Sequence, residues 1–163
     1  MCLDKKMPMN KYCFIIFLFP ILMFISNCHA QAYWIYMQGE EEYNGSDSIK
    51  PNYDHAFYLY KKAAEMGCPM AEYKLSVCYY LGRGVDKSQQ KSFKWCRKAA
   101  KHGYPPAQYA LGYSYLMGEG CHASSKKAYK WIYRAANRGD IPAMDYLQQF
   151  SLYPHQRYVF EDE

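Results

Sequence analysis

The sequence repeats itself every 36 residues, and this period restricts the fold more than any other feature of the chain. Alanine, leucine and glycine recur in phase, at Ala71, Ala107 and Ala143, at Leu75, Leu111 and Leu147, and at Gly67, Gly103 and Gly139. A fixed period of about 20 to 50 residues is typical of repeat proteins, in which each unit packs against its neighbours. Units 71–106 and 107–142 are complete, and residues 53–70 and 143–150 hold parts of two more.

Each unit is predicted to form two helices. In unit 71–106, Ala71, Leu75 and Tyr79 share one helical face, and Gly82 follows where a left-handed cap would end the helix. A residue type that is preferred as an N-cap then precedes the second helix. These residues are Asn52, Ser88 and Ser124. The pattern therefore predicts an all-α fold of stacked helix pairs.

The unit that begins at Ala107 resembles the Sel1-like repeat. The residues that carry the resemblance are Ala107, Leu111-Gly112, Tyr115, Gly118-x-Gly120, Lys126-Lys127-Ala128, Trp131, Arg134-Ala135-Ala136 and Gly139. Ser76 replaces the glycine that is usual at its position. The resemblance covers residues 53–150, and it implies a curved, right-handed α/α solenoid, similar to a TPR superhelix, of about three repeats.

The N-terminal segment is predicted to be a secretory signal peptide, residues 1–30. Three lysines precede the apolar run 13–25, which is shorter than the roughly 20 residues that span a bilayer. Small residues follow it, so that cleavage is expected at Ala30 or Ala32. This order predicts an exported, periplasmic protein. Two alternatives stay open: lipidation and membrane association through Cys28, which ends a sequence resembling a bacterial lipobox, and an uncleaved anchor.

The segments that flank the repeats are less regular. Residues 31–52 could form a cap or a degenerate repeat, and Gly45 and Pro51 break any longer helix there. Residues 151–163 are predicted to cover the apolar face that a terminal repeat would expose. Aromatic residues make up 18% of the chain, which is enough to bury a core, so a disordered chain is excluded.

Catalytic and metal-binding patterns are weak. Ser88-x-x-Lys91 and Ser124-x-x-Lys127 match the S-x-x-K of serine β-lactamases and penicillin-binding proteins, but both serines fall on predicted N-caps. Neither match has an S-D-N or K-T-G companion. No H-x-x-x-H or C-x-x-C spacing occurs. We therefore expect no enzymatic activity, no cofactor and no metal.

A disulfide between Cys78 and Cys96 is compatible with the predicted helix pair. The two residues lie on antiparallel helices around the turn 83–87, with an axial offset of about 6 Å at 1.5 Å per residue. The alternative is that they remain buried free thiols. The pairing of the four cysteines that follow the signal, which include Cys68 and Cys121, stays open.

Basic residues concentrate on the second helix of each unit, with no acidic residue among them. This outer basic face comprises Lys91, Lys94, Lys98, Lys127, Lys130 and Arg134. Removal of residues 1–30 lowers the formal net charge from +5 to +3. The face could meet an anionic lipid, a cell-wall polymer or an acidic partner, or it could simply be solvated. A nucleic-acid partner is not expected for an exported chain.

The first helices carry tyrosines that lie off their apolar stripe. The resemblance implies that these helices line the concave surface of the solenoid. We therefore expect a groove for a protein or peptide, because tyrosine is favoured at interfaces. Its residues are Tyr73, Tyr80, Gln108, Tyr109 and Tyr113. The alternative is that several of these side chains pack between repeats.

The function that the resemblance implies is protein–protein interaction, as a non-enzymatic adaptor or scaffold in the bacterial envelope. Some exported members of the family neutralise secreted lipase-type effectors by binding them, so an immunity protein is the alternative. A β-lactam-binding protein or cell-wall hydrolase is a third hypothesis, and it would depend on Ser88 or Ser124.

Overall fold

The structure, a computed structural model, describes residues 29–45 and 50–151 of the 163-residue chain. In these two ranges it contains seven helices and no β-strand. They are α1 (29–44), α2 (Tyr53–Glu65), α3 (Pro69–Leu81), α4 (Gln89–Lys101), α5 (Pro105–Met117), α6 (Ser125–Ala136) and α7 (Ile141–Ser151). The predictions for Cys28, for most of the signal peptide and for the tail after Ser151 fall outside the described residues.

Short local signals begin and end the helices. Pro69 and Pro105 stand at the start of α3 and α5, where the missing proline N–H is not needed. The side chain of Ser88 accepts a hydrogen bond from the Lys91 backbone N–H and so caps α4. Gly82 ends α3 with a positive φ of 74°, and its N–H donates to the carbonyl of Cys78. Proline, cap and glycine therefore set the bounds of each helix pair.

The helices stack in chain order. The helices α3 and α4 pair closely, as do α5 and α6, while contacts of α4 with α5, of α2 with α3 and of α6 with α7 join the pairs. The core divides accordingly into three clusters, which include Leu75, Leu111 and Ile132 respectively. Both observations confirm the predicted all-α solenoid.

Two glycines bring the backbones of neighbouring units into contact. A Cβ atom on Gly84 would overlap the carbonyl of Tyr53 at the start of α2, and one on Gly120 would overlap the carbonyl of Gln89 at the start of α4. Both glycines also have a positive φ, of 69° and 70°. The loop of one unit therefore lies against the second helix of the unit before it without any side chain between them.

Helix α1 packs against α2 and α3. Ala32, Ile35 and Tyr36 are buried in the cluster that contains residues of α2 and α3. The ring of Tyr36 lies 6.1 Å from the ring of Tyr60 on α2, and the Tyr60 hydroxyl donates to Glu40. The segment that precedes α2 thus forms the first helix of a pair.

Candidate functional site

The four tyrosines that the sequence predicts to form a groove converge on one groove between α3 and α5. Tyr73 and Tyr80 come from α3, and Tyr109 and Tyr113 come from α5. The groove has a volume of about 380 Å³. Small side chains also line it, namely Ser76, Val77, Ser92, Cys96, Ala110 and Ser114. The 36-residue period produces this convergence, because Tyr73 and Tyr109 occupy equivalent positions on successive first helices.

The four rings differ in how far they reach into solvent. Tyr80 and Tyr113 are 40% and 42% exposed, whereas Tyr73 and Tyr109 are half-buried. The ring of Tyr73 packs against that of Tyr104, with 5.6 Å between their centroids, and burial raises the pKa of Tyr73 to about 12. Tyr73 thus forms part of the wall, while Tyr80 and Tyr113 offer the surface that a partner could contact.

One acidic residue, Glu119, lies at the edge of the groove. The hydroxyl of Tyr80 donates a hydrogen bond to Glu119 Oε1 at 3.2 Å, and this bond raises the pKa of Tyr80. Glu119 is the charged residue among those that line the groove. Glu119 lies between the two turn glycines Gly118 and Gly120, where no helical pattern in the sequence indicates it.

Gln108 does not line this groove, which corrects the prediction. Its side chain is 3% exposed, and its Nε2 donates to the carbonyl of Ala100 at 3.1 Å. The physical reason is helical geometry, since Gln108 precedes Tyr109 by one residue and therefore points about 100° away from it. Gln108 instead lines a second cavity, which residues of α4 and α6 also line.

Aromatic rings support much of the outer basic face at equivalent positions of successive units. Lys91 Nζ lies 5.4 Å from the ring centroid of Tyr79, and Lys127 Nζ lies 5.6 Å from that of Tyr115. Lys98 and Arg134 lie over Trp95 and Trp131 in the same way, each at 5.0 Å. Lys94 and Lys130 are exposed. Cation–π contacts therefore repeat with the period of the fold.

Lys98 has a carboxylate partner that the sequence did not reveal. Glu72 on α3 is fully buried, and its two oxygens lie 2.9 Å from Lys98 Nζ and 2.8 Å from His102 Nδ1. A buried carboxylate of this kind requires such partners. The positive charge of the basic face is thus partly neutralised at Lys98.

Cys78 and Cys96 do not form the disulfide that the predicted helix pair would permit. Both are free buried thiols, and they belong to different core clusters. Cys96 donates to the carbonyl of Ala107 on α5, whereas Cys78 packs with residues of α1 to α3. Desolvation raises the pKa of Cys78 to about 11 and that of Cys96 to about 12. The axial offset permitted a bridge, but the two side chains face different neighbours.

The serines of the S-x-x-K matches act as helix caps. Ser124 Oγ accepts from the Lys127 N–H at 3.5 Å, as Ser88 does from that of Lys91 at 3.3 Å. Within the described ranges, no group of three His, Cys, Asp or Glu residues could hold a metal ion. None of the helices described here is both long and apolar enough to cross a membrane.

The stacked helix pairs and the groove between successive first helices define the class of the protein: an α/α repeat protein. Family comparison agrees, since the Sel1 repeat matches three times, at residues 35–68, 69–104 and 105–140. The chain therefore belongs to the Sel1 repeat family. The three matches correspond to the pairs α1–α2, α3–α4 and α5–α6.

Solved structures with the same fold include two that are about 30% identical to the chain over the aligned residues. The protective antigen c5321 of uropathogenic Escherichia coli, which displays an SLR fold, is 32% identical with a TM-score of 0.69 over 77% of this chain. A Sel1 repeat protein from Oxalobacter formigenes is 30% identical with a TM-score of 0.71 over 81% of this chain. The chain spans 26% and 53% of these two proteins.

A more distant similarity concerns the fold alone. Helicobacter pylori cysteine rich protein B is 20% identical, with a TM-score of 0.59 over 74% of this chain and 95% of that one. No curated protein matches the chain in sequence. Sel1 repeats are commonly protein–protein interaction scaffolds, and the family generally serves interaction and not catalysis.

Proposed function

We propose that the protein binds a protein or peptide partner in the groove between α3 and α5 and acts as an exported, non-enzymatic adaptor. The observation that carries this proposal is the convergence of Tyr73, Tyr80, Tyr109 and Tyr113 on one groove, with Glu119 at its edge. A role in interaction agrees with what Sel1 repeats commonly do.

The chemistry of the groove suits a polypeptide better than a small polar metabolite. Tyr80 and Tyr113 expose large ring surfaces beside their hydroxyl groups. Such side chains contribute apolar contact area at low cost in conformational entropy, and their hydroxyls can still bond to a backbone. The Glu119 carboxylate adds one negatively charged hydrogen-bond acceptor. The groove is therefore expected to favour an apolar or aromatic side chain next to a hydrogen-bond donor.

Export is part of the same proposal. The order of lysines, the apolar run 13–25 and the small residues Ala30 and Ala32 supports a cleaved signal peptide. Ala32 is 1% exposed within α1, so cleavage after Ala30 would keep this core residue and cleavage after Ala32 would remove it. We expect the mature chain to begin at Gln31. N-terminal sequencing of protein recovered from the envelope checks this, and a start at Cys28 with an attached lipid would contradict it.

Co-purification tests the groove. The double variant Tyr80→Ala/Tyr113→Ala removes the two most exposed rings of the groove and should lose the partners that the wild-type protein retains from an envelope extract, identified by mass spectrometry. The matched control is Tyr129→Ala/Tyr133→Ala, which removes two stacked tyrosines from α6, outside the groove lining. Circular dichroism establishes that both variants remain helical.

The result can contradict the proposal directly. If the groove variant keeps every partner, the groove is not the interaction surface. If the control variant loses the same partners while the groove variant does not, the surface lies on α6. A lipase-type effector among the retained partners would specify an immunity role, which is one form of the proposed binding.

A further inference from the structure

The second cavity, which is lined by residues of α4, α5 and α6 and of the segment after α6, has the composition of a site for an anion. It has a volume of about 550 Å³ and shares no lining residue with the tyrosine groove. Three basic side chains face it, together with an indole ring and two amide side chains. Its polar and aromatic lining comprises Lys101, Gln108, Trp131, Arg134, Asn137 and Arg138.

In the preceding unit, the protein itself supplies the acidic group that pairs with the equivalent basic side chains. Glu72, Lys98 and His102 stand 36 residues before Gln108, Arg134 and Arg138. In the preceding unit, the buried carboxylate of Glu72 pairs with both of its basic neighbours, at 2.9 and 2.8 Å. Gln108 takes the place of that carboxylate and carries no charge. The two arginines thus occupy the positions of the two partners of Glu72, while the carboxylate between them is replaced by an amide.

The groups around the two arginines leave their charges available. Arg134 lies over the ring of Trp131, and Arg138 Nη1 donates to the carbonyl of Gly103 at 2.6 Å. Neither arginine contacts a carboxylate in the part of the chain that the structure describes. The nearest acid in sequence, Asp140, instead accepts from the Ala143 N–H and caps α7. Each guanidinium has five N–H donors, so most of them remain for a ligand.

A buried acceptor completes the site. Gln108 is 3% exposed, its Nε2 is used by the carbonyl of Ala100, and its Oε1 receives no hydrogen bond from the described residues. A buried oxygen without a donor is unfavourable, so a ligand that brings an N–H group would gain from it. The ligand should therefore carry a carboxylate for the arginines and an N–H donor beside it for Gln108.

We infer that this cavity binds the free carboxylate of an N-acylated amino acid or of a peptide C-terminus, with its terminal amide N–H donating to Gln108 Oε1. A peptide C-terminus and a small N-acyl amino acid present the same two groups. The Trp131 ring would contact the side chain of the terminal residue. Because its basic residues are exposed, the dissociation constant for a single amino acid is expected on the order of a millimolar.

Nuclear magnetic resonance can follow this cavity and the equivalent region of the preceding unit, around Glu72, in one experiment. N-Acetylalanine added to the ¹⁵N-labelled protein should shift the indole resonance of Trp131. The indole resonance of Trp95 should not shift, because the neighbouring Lys98 is already paired with Glu72. Titration of an alanine-terminated tripeptide against N-acetylalanine separates the two sources, since tighter binding of the tripeptide indicates a peptide C-terminus. If N-acetylalanine and the tripeptide both leave the Trp131 resonance unchanged, the inference is wrong.

Three further ligands test the recognised groups. N-Acetylalanine amide lacks the carboxylate and should not bind, while acetate lacks the N–H and should bind about tenfold more weakly. Inorganic phosphate should also be weaker than N-acetylalanine. If phosphate binds equally well or better, the cavity is an unselective cationic patch, and the inference is wrong.

Two variants test the residues. Gln108→Glu recreates the internal carboxylate of the preceding unit, so it should fold, raise the melting temperature and weaken N-acetylalanine binding at least about tenfold. Arg134→Gln/Arg138→Gln should weaken it as much. The charge-matched control Lys91→Gln/Lys127→Gln, at two lysines outside the cavity, should leave the affinity unchanged. Unchanged affinity in Gln108→Glu would overturn the inference.

The acidic end of the chain needs its own control. Glu161, Asp162 and Glu163 close the sequence with three carboxylates. The variant Glu161→Gln/Asp162→Asn/Glu163→Gln should leave the Trp131 resonance and the affinity for N-acetylalanine unchanged. A shift of that resonance without added ligand would assign the cavity to these side-chain carboxylates of the same chain and overturn the inference of an external ligand.

Discussion

At the scale of single residues, Glu72 and Gln108 have nearly the same shape and occupy equivalent buried positions, yet their side chains bond to different partners. Glu72 faces two basic side chains, and Gln108 faces the backbone carbonyl of Ala100. The difference follows from charge, because a buried carboxylate needs cations whereas a buried amide is satisfied by neutral acceptors and donors. The replacement of a carboxylate oxygen by an amide nitrogen therefore determines whether the neighbouring basic side chains are paired within the protein or can bind an external anion.

The cysteines allow a residue-scale prediction. Desolvation raises the pKa of Cys96 to about 12 and that of Cys78 to about 11, so the reactive thiolate is rare for both at pH 8. Cys121 is only partly buried. Iodoacetamide on the folded protein should therefore modify Cys121 first and leave Cys78 and Cys96 unmodified, as measured by peptide mass spectrometry.

Denaturant supplies the control for this labelling. In guanidinium without reductant, Cys78 and Cys96 should react as readily as Cys121, because unfolding removes their burial. Protection that persists in guanidinium until a reductant is added would demonstrate a disulfide and contradict the free thiols.

The position of a side chain around its helix is the residue-scale property that the sequence predicts least well. The 36-residue period identified Tyr73 and Tyr109 as equivalent, and both line the groove. The period did not show that Gln108 and its neighbour Tyr109 point in different directions, although successive residues of a helix lie about 100° apart around its axis. Glu119 was missed for another reason: it lies in a turn, where helical periodicity gives no direction.

At the scale of helices, the same small set of residues begins and ends each element. Prolines open α3 and α5, serines cap α4 and α6, and glycines end α3 and α5. All of these residues could be recognised in the sequence from their chemistry. The segment before α2 lacks such repeated signals, which is why a cap and a degenerate repeat could not be distinguished there.

The serine caps give a prediction for stability. Ser88→Ala should lower the free energy of unfolding by about 1 kcal/mol, since it removes the acceptor for an exposed first-turn N–H. Ser124→Ala should cost somewhat less, because its hydrogen bond is longer, at 3.5 Å. Urea denaturation measures both values. Neither variant should change hydrolysis of a β-lactam, and an activity lost only with one serine would restore the catalytic hypothesis.

A second helix-scale prediction concerns the contact between the two helices of a unit. A Cβ atom on Gly112 would lie 2.5 Å from Ile132 Cγ1, while the equivalent pair in the preceding unit is Ser76 with Cys96. A small residue on one helix thus matches a larger one on the other. Gly112→Ser alone should destabilise the protein by about 1–3 kcal/mol through overpacking.

The double variant tests whether the two positions are coupled. Gly112→Ser/Ile132→Cys copies the pair of the preceding unit, so it should cost about 1 kcal/mol less than the sum of the single variants. Urea denaturation of the four proteins completes the cycle. Strict additivity would show that the two positions do not determine each other's size.

At the scale of the whole molecule, stability should be distributed unevenly along the stack. Helix α4 packs on both α3 and α5, whereas α7 packs on α6 and leaves Ile141 and Met144 exposed. In repeat proteins each unit is stabilised mainly by its neighbours. The period therefore predicted the architecture well, because it specifies which faces must be buried between neighbours.

Hydrogen exchange measures this distribution. Amides of α3, α4 and α5 should exchange most slowly, and those of α7 should exchange markedly faster, because its opening breaks fewer buried contacts. Mass spectrometry of peptides from each helix gives the rates. Equal protection of α4 and α7 would mean that the stack unfolds as a single cooperative unit.

Gly84 and Gly120 place the backbone of each loop against the backbone of the preceding unit. The spacing between units is therefore set by atoms that every amino acid shares and not by the size of any surface side chain. Substitutions on the exposed faces can change what the protein recognises while the pitch of the stack stays constant. A 36-residue unit could also be added to the array or removed from it with no adjustment of the others, so that length and specificity can vary independently within one architecture.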